Sequence, residues 1–471
     1  MVINLRVDSY EAGIGAVGGL ATFHNNLYPR LVNRGFDVKT FSMHFRQELP
    51  VRETFKGVII RRPSSDVDLD VAYAWTYDIL HQYGIDVSYL TPSELYMVPR
   101  YFTNFVVVPS PYRMSLADIF SPHDWMSFLR SALFAWLHPE LIQTIFIHST
   151  EPGRIGGLQH MNLNGTSDKL TLDEFDLCGK GFPEAFYTGL RLIRDLEFPL
   201  TFKILRRLPH SALFTVSKIH RKEYLLGLRA HGMRFGEVED RVFAIYHGVD
   251  TNEYRPMPKM KGEGFRIGFI GRSTRVKGID LIPDLALILA KKIPDIKFHI
   301  VTKTDPHNPV YLELINKIHQ RKLENIIHLD NTFYTGEEKI RIINSWHILL
   351  APSRYEPQGQ VDLEAMACGV IPVVGVGGLR EKVNDGFNGV WINPYNVREI
   401  ADKIIQLYKG EYKGRKTEEI AKNARESAVK IWDWEKRADA HKEIYTYFLD
   451  GRIDDIQKDL YELLLPSVSQ I

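Results

Sequence analysis

Between Arg266 and Ile392 the chain alternates short, nearly unbroken apolar runs with amphipathic stretches of helical period, and few folds accommodate that pattern. Arg266–Ile270, Lys297–Val301, Ile326–Leu329, Ile348–Ala351, Val370–Val374 and the region near Val390–Ile392 read as strands. A turn over Gly271–Gly278 leads into a helix to Lys292, and further helices are expected near Val310–Arg321, at Glu337–Asn344 and at Val361–Ala367. Strands that are apolar on both faces belong to parallel sheets covered by helices on both sides. Ligands of such sheets bind beyond the carboxyl ends of the strands.

A fainter version of the pattern opens the chain. Val2–Val7 reads as a strand, Gly18-Gly19 opens a helix through Leu31, Gly35 closes it, and Phe36–Phe41 is a second strand. Val58–Ile60, Ile142–Ile147 and Leu213–Val216 are further strands, whereas residues 62–120 give no traceable pattern. Residues 151–182, rich in Gly, Asn and Asp, read as a long loop or small insertion. Pro256–Gly264 reads as a linker. The expected fold class is therefore α/β, with two Rossmann-like, doubly wound domains over residues 1–250 and 262–440, facing across a cleft that holds the chemistry.

Composition removes several classes of function. Lys and Arg total 59 against 58 Asp and Glu in 471 residues, a formal charge of +1, so no global field argues for nucleic acid or an anionic membrane. Two cysteines, Cys178 and Cys368, make no disulfide framework, and no Cys/His cluster has zinc-ligand spacing. The apolar stretches are too short and too often broken by Gly or Pro for an integral membrane segment, and the N-terminus lacks the pattern of a signal peptide. These features lead us to expect a cytoplasmic protein with no metal and no cofactor.

Three glycine-bearing loops follow strands and offer chemistry. Gly271–Gly278 sets Arg272 and Lys277 beside glycines and a helix start, which suits a diphosphate; a solvated turn is the bland alternative. Arg354–Glu364 carries Glu356 and Glu364 eight residues apart, able to face one ligand or to serve only as acids at a helix N-terminus. Gly375–Leu379 includes Gly377-Gly378, which permits close backbone approach or simply a tight turn, and Gly18-Gly19-Leu20 is its N-terminal counterpart. His148 stands at the end of an apolar strand, and His123-Asp124-Trp125 follows another apolar run. Asp66–Asp70 has a D-x-D pattern but loop-like neighbours, and reads as a solvated acidic loop, with metal binding as the lesser alternative.

Taken in order, Gly271–Gly278, Glu356–Glu364 and Gly377-Gly378-Leu379 resemble the donor domain of retaining GT-B glycosyltransferases, those of family 4 and the related glycogen and starch synthases. The resemblance extends to Phe214-Thr215-Val216-Ser217, His247-Gly248-Val249-Asp250, Glu364–Gly369 and Trp434-Glu435-Lys436, strongly over 200–445 and more weakly over 1–150. It implies a GT-B fold whose C-terminal helix, about 440–471, crosses back to the first domain. It also implies that Arg272 and Lys277 neutralise the diphosphate of a nucleotide-sugar donor, with Glu364 at the ribose and Glu356 near the transferred sugar. Main-chain amides around Gln358-Gly359 and Gly377-Gly378 would line sugar and phosphates, with Gly18-Gly19 approaching the diphosphate. His148 and Asp124 would lie beside the reacting sugar.

One position departs from the pattern: glycogen synthases carry Lys two residues before Gly-Gly-Leu, and here it is Ala16. The resemblance implies transfer of a hexose, glucose first, to a saccharide or glucan acceptor. Trehalose- or glycoconjugate-forming transfer, and a non-catalytic nucleotide-sugar-binding subunit, remain as alternatives.

Overall fold

The computed structural model describes residues 2–9, 12–14, 19–42, 49–50, 52–61, 82, 117–123, 128–148, 197–257, 260–304, 306–456 and 460. The expectations for Ala16, Gly18, Asp66–Asp70, Asp124, the 151–182 segment and residues 461–471 lie outside them. The chain divides into two compact units. One comprises Met1–Glu151, Phe182–Tyr246 and Arg437–Leu465, the other Pro152–Gly181, His247–Lys436 and Pro466–Ile471. The long stretch of the second unit thus starts at His247, upstream of the segment that reads as a linker.

The first unit is built on strands β1 (Ile3–Ser9), β2 (Phe36–Ser42), β3 (Arg52–Phe55), β4 (Val58–Arg61), β5 (Ile119–Pro122), β6 (Ile142–Ile147), β7 (Ala212–Thr215) and β8 (Val242–Ala244). They lie in the order β3-β4-β2-β1-β5-β6-β7-β8. All neighbours pair parallel except β3 and β4, which form an antiparallel edge hairpin. Helix α1 (Gly19–Val32) lays Phe23, Leu27, Tyr28 and Leu31 against the core, the spacing of one helical face. Helix α2 (Phe128–Leu137) follows β5, and α3 (Lys218–Ala230) starts where the Ser217 side chain accepts the His220 N–H at 3.2 Å. Strand β5 is absent from the sequence expectations because Ser121-Pro122 interrupts its apolar run. Sheet pairing to β1 fixes it nonetheless, with Leu5 opposite Ile119.

The second unit carries β9 (Phe265–Ile270), β10 (Ile296–Val301), β11 (Ile327–Asp330), β12 (Ile348–Ala351), β13 (Ile371–Val374) and β14 (Val390–Trp391) in the order β11-β10-β9-β12-β13-β14, all parallel. Helices α4 (Ile282–Leu289), α5 (Pro309–Gln320), α6 (Gly336–Asn344), α7 (Val361–Ala367) and α8 (Leu379–Lys382) connect them, followed by α9 (Val397–Tyr408) and α10 (Thr417–Lys430). Ile267, Phe269, Ile300, Ile348 and Val373 of the strands close one core with Leu285, Leu289, Ile400 and Ile404 of the helices. From β9 the chain winds outward through β10 and β11, then returns to lay β12 on β9's other side. The winding direction reverses between β9 and β12, and it is at such a reversal that sheets of this kind open a crevice for a ligand.

The last helix described, α11 (Trp434–Leu449), gives its residues from Arg437 onward to the first unit. There Tyr445 meets Phe36 and Phe448 meets Phe214, with ring centroids 5.8 and 6.0 Å apart. Among the described residues no helix is long and apolar enough to cross a membrane.

Candidate functional site

The three glycine-bearing loops of the second unit leave β9, β12 and β13, which are neighbours, so their C-terminal ends bring the loops together. The β9 loop is tied to the end of β10 by Ser273 Oγ and Thr302 Oγ1 at 2.8 Å, and to the β12 loop by the Arg354 N–H donating to Val276 O at 2.7 Å. Arg354 is a brace: its guanidinium holds both oxygens of Asp280, at 2.8 and 2.9 Å.

The way this loop presents positive charge differs from the sequence expectation. One short 3₁₀ turn, Arg275–Lys277, lies within it, and a second, Ile279–Leu281, stands between it and α4. The amides of Gly271, Thr274, Lys277 and Gly278 already donate to main-chain carbonyls. The cationic character therefore comes from side chains: Arg272 is exposed, and the Lys277 ammonium pairs with the Glu356 carboxylate.

The two glutamates occupy unlike places. Glu356 sits beside Lys277 with its side chain 15% exposed. Glu364, on α7, is 2% exposed and is held by the Lys339 ammonium of α6 at 2.7 Å. Its charge also faces the Tyr254 hydroxyl, whose pKa is raised mainly by burial and then by Glu364. Lys339 and Tyr254 escaped sequence reasoning because no local spacing links them to Glu364.

Gln358 is buried, its side-chain oxygen accepting the His247 N–H at 3.0 Å, while Gln360 donates to Gly248 O at 2.8 Å. The His247–Asp250 motif is thereby fastened to the β12 loop. The expectation of open amides at Gly377-Gly378 is corrected in part. Gly378 N–H donates to Glu356 O at 2.9 Å, and α8 is only four residues long, too short to direct a helix dipole at an anion. The function of Gly378 is close packing: a Cβ there would overlap the Pro357 carbonyl oxygen.

In the first unit Gly19 opens α1 with space around it. His148, at the end of β6, shares a hydrogen bond between its Nε2 and His123 Nδ1 at 2.9 Å. His123 Nε2 in turn meets the buried Tyr28 hydroxyl. Tyr28 could not be singled out from sequence, where it is one more apolar-face residue of α1. Burial pushes the imidazoles of His148, His220 and His441 down to about 3; for His220 the His148 ring adds to it, and for His441 first Arg437 and then His148.

A pH dependence follows from these imidazoles. The unfolded chain takes up protons at histidine below about 6.5, while the folded unit resists protonation until near 3, so this stability is complete above 6.5 and is lost as pH falls toward 3. The melting temperature should drop steadily from pH 7 to pH 5, and less steeply in His441→Gln. A slope unchanged by that substitution would show that the cluster is not the cause.

One grouping in the second unit has metal-ligand composition, His299, His328 and Asp330, brought together by the β10–β11 register. Trp346 Nε1–H donates to His299 Nδ1 at 3.3 Å, which leaves the imidazole proton on Nε2, facing Asp330 Oδ2 at 3.4 Å. A metal at Nε2 would have to displace that proton, so the grouping fits a hydrogen-bonded relay better than a cation site.

Residues 250–427 match the family described as Glycosyl transferases group 1. The chain is 26% identical over 450 residues to the uncharacterized glycosyltransferase MJ1607 of Methanocaldococcus jannaschii, covering 91% of this chain and 94% of that one. It is 26% identical over 436 residues to glycogen synthase 2 of Geobacter sulfurreducens, covering 81% and 84%. Among solved structures, sucrose-phosphate synthase from Thermosynechococcus elongatus superposes with a TM-score of 0.66 at 16% identity, covering 95% of this chain and 100% of that one. The catalytic domain of starch synthase IV from Arabidopsis thaliana, bound to ADP and acarbose, gives 0.61 at 15% identity, with 95% and 99% covered. Residues 250–427 are therefore a Glycosyl transferases group 1 domain, set in a chain of GT-B fold with two Rossmann-like units.

Proposed function

We propose that the protein is a retaining glycosyltransferase that moves a hexose, glucose first, from a nucleoside-diphosphate sugar to a saccharide hydroxyl in the cytoplasm, without a metal. The observation that carries the reading is the Lys277–Glu356 pair, with Arg272 on the same loop, at the point where the sheet's winding reverses. Sugar transfer develops positive charge at the anomeric carbon and negative charge on the departing diphosphate oxygen. Lys277 and Arg272 answer the second, and Glu356 is placed to face the first once Lys277 turns to the phosphates. In a front-face step the anomeric C–O bond to phosphate breaks, the acceptor oxygen bonds to the same carbon, and the acceptor proton passes to the leaving phosphate.

Support for a glucan acceptor comes from the likeness to a glycogen synthase over most of both chains and from the ADP and acarbose held by the starch synthase structure. The test is a melting-temperature screen with ADP-, UDP- and GDP-glucose, followed by assay of nucleoside diphosphate release with and without a maltooligosaccharide, in EDTA. At a ligand concentration one hundred times Kd, binding stabilises the fold by about 2.7 kcal/mol, visible as a rise of a few degrees. Stabilisation together with slow release, accelerated by the acceptor, is the expected result. Stabilisation with no release under any condition would favour the non-catalytic subunit, and loss of release in EDTA would overturn metal independence.

A further inference from the structure

The loop between β12 and α7 is held by a buried charge pair that the reaction scheme does not use. Lys382, the last residue of α8, and Asp362, on the first turn of α7, have fully buried side chains and meet at 2.7 Å. The same ammonium donates to Gln358 O at 2.6 Å and to Gly359 O at 2.8 Å. Gly359 is held at φ +83, and a Cβ on it would overlap Asp362 Oδ1 and the Leu379 side chain. The segment that carries Glu356 is thus pinned at its far end by one ammonium.

Isolated, such a pair is poor stabilisation, because removing two charges from water offsets much of their attraction, and an apolar pair of like volume is often as stable or more so. Burial indeed moves the Asp362 carboxyl up and the Lys382 ammonium down, against their mutual attraction. What an apolar pair could not supply is the two N–H donors to the Gln358 and Gly359 carbonyls. The pair therefore fits the specification of a loop conformation better than the stabilisation of the fold.

We propose that Lys382, with Asp362 as its counter-charge, is a positioning residue that fixes the 356–359 segment and through it the placement of Glu356. This rests on the function proposed above, so the test reads loop order separately from turnover. Lys382→Met alone strands the Asp362 carboxylate in the core and is the variant that can fail to fold. The informative protein is the double variant Asp362→Leu, Lys382→Met, which removes both charges.

Melting temperature, amide hydrogen exchange of the peptide 355–360 and steady-state transfer are measured on the full chain. The expected result is a double variant that still folds and melts close to the parent, exchanges faster over 355–360 alone, and loses about 10- to 100-fold in kcat with little change in acceptor KM. Exchange at the parent rate overturns the anchoring, and faster exchange with unchanged kcat overturns its part in the reaction. A parent protein inactive with every nucleotide sugar would overturn the proposed function, while the exchange comparison would still decide whether Lys382 orders the loop.

Discussion

Lys277→Ala is expected to slow sugar transfer by about 10²- to 10³-fold, the loss typical when one fixed group facing a developing anion is removed. Its side chain is 24% exposed and its partner Glu356 is 15% exposed, so the ammonium acts where water screens it only in part. The substitution has a second consequence in the same direction, because it removes the ammonium paired with the Glu356 carboxylate in the place a donor diphosphate would approach. Donor KM should rise as well as kcat fall, and Lys277→Arg, which keeps the charge but changes its shape, should recover part of the rate. Arg272→Ala is expected to cost less, since that guanidinium is exposed and screened. A turnover for Lys277→Ala near that of the parent protein would remove this residue from the diphosphate.

The residues that sequence reasoning assigned to this unit lie on loops whose flanking strands are strongly patterned. Runs such as Ile348–Leu350 or Ile371–Val374 have apolar side chains on both faces, and only a buried parallel strand accommodates that. Strand positions being legible, the glycine loops after them were legible too. What was not legible is which groups are consumed by the loops themselves. Nothing in Gly377-Gly378 signals that the Gly378 amide goes to Glu356 O, and nothing in Gly271–Gly278 signals that four of its amides are spent internally. Of those bonds, Gly378 to Glu356 and Gly271 to Val301 join segments brought together by sheet order, while those of Thr274, Lys277 and Gly278 close tight local turns that the glycine spacing does not announce.

The charged partners were hidden for the same reason. Lys339 and Glu364 are 25 residues apart, and Lys382 looks in sequence like one basic residue in a polar helix. In the first unit, β5 was obscured by Ser121-Pro122, and Tyr28 meets Ser121 and His123 only because the fold brings residues more than 90 apart in sequence together. Long-range polar pairing is the part of a site that one-dimensional pattern does not carry.

Gly278→Ala should test the loop assembly most severely, with an expected loss of roughly 2–5 kcal/mol in unfolding free energy. Two independent effects contribute. Gly278 lies at φ +72, a left-handed conformation that costs a residue with a Cβ about 1–2 kcal/mol. That Cβ would also overlap the Pro352 carbonyl oxygen, which is backbone and has no rotamer to yield, and overpacking of this kind costs about 1–3 kcal/mol. Gly410 separates the two: its φ is +94, yet a Cβ there meets nothing within 4 Å, so Gly410→Ala isolates the conformational part. Gly278→Asn tolerates the left-handed region but retains the overlap, and should therefore fall nearer to Gly278→Ala than to Gly410→Ala in denaturant midpoint. Because relief of the overlap requires the β9 loop to move off Pro352, the Lys277–Glu356 pair should open in the same variants, and transfer should fall by more than the small unfolded fraction explains. If Gly278→Ala and Gly410→Ala were equally mild, the β9 and β12 loops would not be packed against each other, and the diphosphate site would lose its geometric basis.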